Sequence, residues 1–145
     1  MKKFSFSLQK VLHLKEMQLE NEMHVLSNLQ HRHRLLTEEL NQLTQHYQTT
    51  RQRHLASSAA GMPVHQLRSE QYYLKSLQQD IRQKNMQIER CLQEIASQVK
   101  KLVALRAEKI SLEKLREKKF QEYQKKEQKA NELFIEEFVA NVQRR

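Results

Sequence analysis

Ala56-Ser57-Ser58-Ala59-Ala60-Gly61-Met62-Pro63 is the one stretch of this sequence that can break a helix. It holds the only glycine and the only proline of the 145 residues. Glycine takes the left-handed conformation that ends a helix without a steric penalty, and proline suits the first turn of the next. A helix over 4–57, a turn over 58–63 and a second helix over 64–143 are therefore expected. At 1.5 Å rise per residue, such arms are roughly 80 Å and 120 Å long.

Working outward from the turn, the apolar spacing says how the arms pack. In the first, Leu26, Leu29, His33, Leu36, Leu40, Leu43, Tyr47, Thr50 and His54 alternate in steps of three and four, a heptad seam. In the second, Leu67, Leu74, Ile81, Ile88, Ile95 and Leu102 form one row at seven-residue spacing, with a companion row of Leu77, Leu92, Val99 and Leu105. Folding at Ala60–Gly61 sets an antiparallel register in which facing residue numbers sum to about 121. His54 then faces Leu67, Leu40 faces Ile81, His33 faces Ile88 and Leu26 faces Ile95. The fold class expected is all-α: a single, monomeric two-helix antiparallel coiled-coil hairpin with a longer, overhanging C-terminal helix. Phe4 falls near Glu117, so the last ~25 residues overhang the N-terminus.

Composition agrees. Charged residues make up 30% and hydrophobic ones 38%, enough to line a seam but not to fill a thick core. Sheets need turns, and the punctuation for them is missing. No apolar run is long enough for a membrane span. The opening MKKFSFSLQK starts on lysines, but no apolar stretch or small-residue cleavage site follows, so a signal peptide is not expected. The single Cys91 fits a reducing compartment, and a cytoplasmic setting follows. The net charge of +9 asks for an acidic partner without choosing among nucleic acid, membrane and protein.

Catalysis finds no footing. His31 and His33 lie two apart, so on a helix they diverge rather than share a metal ion. His33 and His54 sit on the seam, where polar residues tune register. Cys91, beside the seam, reads as a small buried hydrophobe. One glycine cannot build a phosphate-cradling loop. The carboxylate pairs Glu38-Glu39 and Glu136-Glu137 diverge and have no pocket. No enzyme activity, cofactor or metal is expected. Glu117 interrupts the basic run Lys114–Lys119, as on a solvated helix face, so nucleic acid is not expected as a partner.

Two features point to protein partners instead. From Lys100 to Lys129 there are eleven Lys or Arg against five Glu, and beyond them Leu133, Phe134, Ile135, Phe138, Val139 and Val142 crowd a segment with no first arm to cover it. An uncovered apolar end marks a docking surface. The register also gathers Tyr47, Tyr72 and Tyr73 beside Leu43 and Leu77. Tyr72 and Tyr73 cannot both face inward, and exposed tyrosine is a common interface anchor.

The opening Phe4-Ser5-Phe6-Ser7-Leu8-Gln9-Lys10-Val11-Leu12, with Leu14-Lys15-Glu16, resembles the start of the flagellar FliJ family. The later Leu112–Lys119 run, Tyr123, Glu132-Leu133 and Glu136-Glu137 resemble its C-terminal half. The resemblance implies a stalk similar in form to the rotor of rotary ATPases. Its paired termini would enter the flagellar export ATPase hexamer, and its middle would contact the cytoplasmic domain of the export gate protein. Escort of export chaperones and a peripheral place on the cytoplasmic face of the membrane are also implied. Phe4, Phe6, Leu133, Phe134 and Phe138 would then serve the ATPase ring, and Leu43, Tyr47, Tyr73 and Leu77 the gate. Asp80 and Lys84 depart from the small and basic residues the family carries after that patch. An injectisome-type stalk, a basic nucleic-acid binder and a structural spacer are the competing readings.

Overall fold

The computed structural model describes residues 2–144. Its two helices, α1 (Gln9–Ala60) and α2 (Val64–Gln143), form an all-α antiparallel coiled-coil hairpin, with no strand among the described residues. α1 runs three residues past the expected end because Ala59 and Ala60 favour helix strongly. Gly61 then takes φ 96°, and its N–H meets the Ser58 carbonyl at 3.3 Å. A Cβ there would touch nothing, so the demand for glycine is conformational rather than steric. The turn shrinks to residues 61–63, and the Pro63 carbonyl accepts the N–H groups of Gln66 and Leu67 at 3.1 and 3.0 Å.

At the other end the expectation of helix from residue 4 is corrected: α1 starts at Gln9. In a helix, residues two apart point in nearly opposite directions, so Phe4 and Phe6 could not both turn toward α2. A non-helical path over the first residues lets both pack. The Gln9 N–H, bonded to the Phe6 carbonyl at 3.1 Å, marks the transition.

The chain divides into two compact units, Glu22–Lys101 and Met1–Asn21 with Leu102–Arg145. Within Glu22–Lys101 the two seams meet. Every α1 position from Leu26 to His54 in the heptad pattern is buried or half-buried, as are Leu67, Leu74, Ile81, Ile88 and Ile95. Leu36 and Leu77 are its most enclosed leucines. The companion row differs from expectation. Leu92 and Val99 are 49% and 43% exposed, whereas strict seven-residue steps from Leu77 reach Lys84, Cys91 and Gln98, all turned inward. One residue is 100° of helical rotation, enough to carry Leu92 and Val99 off the seam.

That inward row is held by polar bonds across the hairpin. Lys84 Nζ reaches Glu39 at 2.5 Å, and the Cys91 thiol donates to the Leu29 carbonyl at 3.5 Å. Gln98 Nε2 donates to both the carbonyl (2.9 Å) and the carboxylate (2.5 Å) of Glu22. The bond from Gln98, followed by that from Lys101, holds the Glu22 carboxyl below its ordinary range. The apolar row alone repeats every heptad and is compatible with slipped pairings. The polar bonds have unique partners and oppose a slip.

In the second unit Leu12 is 3% exposed, and Lys15 pairs with Glu108 at 2.6 Å. Phe4 meets Phe120 edge-on at a centroid distance of 5.2 Å and Tyr123 at 5.6 Å. The Tyr123 hydroxyl donates to the Lys2 carbonyl at 2.6 Å, fastening the N-terminal segment to α2. Burial, then the nearby Glu127 carboxylate, push that phenol above the ordinary tyrosine value. Beyond Glu127 every described residue of α2 is exposed.

Candidate functional site

Two open clefts of about 450 and 510 Å³ lie where the N-terminal segment and the start of α1 meet α2. Among the described residues no group of His, Cys, Asp or Glu is placed to hold a metal ion. Among the described residues no helix is long and apolar enough to cross a membrane. Two exposed apolar patches stand out among the described residues.

The first patch is the end of α2. Leu133, Phe134 and Phe138 are 59%, 69% and 62% exposed, joined by Ile135, Val139 and Val142 at 60%, 46% and 57%. Six exposed apolar side chains within ten residues far exceed the scattered leucines of an ordinary surface. Phe4 and Phe6 do not join them. Phe6 is only 9% exposed and Phe4 is half-buried against Phe120 and Tyr123, so the expectation of an open N-terminal contribution is corrected. Two aromatic partners, Phe120 and Tyr123, were the missed signal. Their three-residue spacing puts them on one face of α2, at the level the register gives to Phe4.

The second patch lies in Glu22–Lys101. Tyr72 is 79% exposed and Tyr73 48%, while Tyr47 and Leu43 are half-buried. Leu77 is 5% exposed and presents almost no surface of its own. Tyr73 and His46 share a hydrogen bond of 2.7 Å with their rings edge to face, and Gln78 donates to the Tyr47 hydroxyl at 2.8 Å. These bonds fix the orientation of both rings, which lowers the entropy a partner must overcome. Asp80 and Lys84, with Leu43, line a small adjoining hollow. Tyr72 is the residue the sequence reading left out of the site, although it required one of the tyrosine pair to face outward.

A comparison with protein families decides the relationship. The model of the family described as Flagellar FliJ protein matches residues 4–145. The chain belongs to the FliJ family. No curated protein and no solved structure matches it. FliJ-family membership makes this a flagellar protein of the export apparatus that supports flagellum assembly. The family is a non-catalytic component of flagellar export.

Proposed function

We propose that this FliJ-family chain is a stalk and escort of the flagellar export machine, working at the cytoplasmic face of the membrane. The end of α2 enters the ring of the hexameric export ATPase. The tyrosine patch meets the cytoplasmic domain of the export gate, and export chaperones are further clients. The observation that carries this is the six exposed apolar side chains of Leu133–Val142, next to a segment rich in Lys and Arg. Apolar anchors give the contact its affinity once desolvated, and the flanking cations suit acidic loops of a ring. Phe4 and Phe6 act indirectly, by packing the N-terminal segment onto α2.

Pull-down of purified export ATPase hexamer and, separately, of the gate's cytoplasmic domain with the full chain tests the proposal. Both are expected to be retained, the ATPase more weakly as salt rises. Retention of neither would leave the spacer reading in its place.

A further inference from the structure

The hairpin turn carries a surface that neither patch explains. From Leu40 to Ser69 the sequence has no Asp or Glu, although the chain holds 17 of them. The same thirty residues contain Arg51, Arg53 and Arg68, all exposed, and no lysine. The nearest carboxylate beyond them, Glu70, is taken up by His54 Nδ1 at 2.6 Å. Between the arginines stand Leu55, 56% exposed, and Val64, 66% exposed, with half-buried Met62 in the turn. Ala56, Ser57, Ser58, Ala59, Ala60 and Gly61 fill the rest with small groups.

We infer that this turn docks on an anionic lipid surface. Exposed apolar side chains flanked by cations and free of acids are the composition of an interfacial anchor. The guanidinium fork matches phosphate oxygens with two parallel bonds, which an ammonium cannot do. A two-helix turn is narrow, and its acid-free set of arginines matches the phosphates of an anionic headgroup layer in charge. A headgroup layer deforms to receive it, and the small residues let Leu55, Met62 and Val64 reach the acyl boundary. The docking residues named, Arg51, Arg53, Leu55, Met62, Val64 and Arg68, are not among those assigned to the ATPase or the gate.

The chain has no tryptophan, so one introduced at the turn reports cleanly. Full-length Val64→Trp is mixed with phosphatidylcholine vesicles with and without phosphatidylglycerol, and Met86→Trp, 60% exposed on α2, is the comparison. A blue shift at residue 64 only, and only with phosphatidylglycerol, is expected. In that reporter, Arg51→Gln with Arg53→Gln and Arg68→Gln should weaken partitioning about 100-fold, near fivefold per arginine. Removing the same charge by Lys118→Gln, Lys119→Gln and Lys125→Gln should weaken it far less. If circular dichroism shows that Val64→Trp misfolds, Leu55→Trp takes its place. No shift at the turn, equal shifts at both reporters, or equal losses from the two triple variants would overturn the inference. A shift with the export-gate domain but not with vesicles would also overturn it, in favour of an acidic protein surface.

Discussion

Leu77→Asp is expected to unfold the Glu22–Lys101 unit, lowering stability by about 3 kcal/mol or more. Leu77 is 5% exposed, and only Leu36 and Cys91 are comparably enclosed apolar residues in that unit. At 5% exposure a carboxylate there would lose most of its hydration. Leu92→Asp, one heptad step plus one residue further from Leu77 along the same α2 helix than Lys84 is, enters at a site 49% exposed and should change stability by less than about 0.5 kcal/mol. Asp at half-buried Ile81 or Ile88 should fall between these limits. Thermal melts followed by circular dichroism separate the cases. Equal melting temperatures for the Leu77 and Leu92 variants would mean that the inward row is wrong.

The second large effect concerns division of labour between the patches. Phe134→Ala with Phe138→Ala is expected to weaken binding to the export ATPase by at least about 2 kcal/mol while sparing the gate domain. Both phenylalanines are more than half exposed, so helicity should be kept. Tyr72→Ala with Tyr73→Ala should do the reverse by a similar amount, about 2 kcal/mol. That pair leaves the bond between Gln78 and Tyr47 in place, so the support beneath the patch survives. Isothermal titration of each variant against each partner reads the outcome. If each double variant lost both partners while still folded, one surface would be serving both.

Much of this architecture was legible in the sequence for a plain reason. A chain with one Gly and one Pro has only one place to turn, and two seven-residue rows can meet in few ways once the turn is set. Cross-helix pairs such as Cys91 with Leu29 and Gln98 with Glu22 fall within one residue of the expected register sum of about 121. The inward row of Lys84, Cys91 and Gln98 was missed because apolarity, rather than strict spacing, guided the choice of Leu92 and Val99. Polar residues can occupy a seam when each finds a partner across it, and here each does.

The start of the chain was misread for a related reason. Phe4 and Phe6 carry the apolar signal of a helix face or a docking surface equally well. The rings of Phe120 and Tyr123 against Phe4, and the burial of Phe6, show that both are packed against the chain itself. Exposure at Leu133–Val142 was readable because no first-arm residue remained to face it. The split between Tyr72 and Tyr73 was not, since sequence spacing required one exposed ring without saying that both would be.

The proposal of two separate surfaces for two partners is tested most directly by asking whether they bind at once. The full chain is saturated with export ATPase hexamer and then titrated with the gate's cytoplasmic domain, with complexes followed by analytical ultracentrifugation. A three-component complex, formed with a gate affinity unchanged from that of the free chain, is the expected result. Displacement of the ATPase by the gate domain, with no three-component species at any ratio, would contradict it.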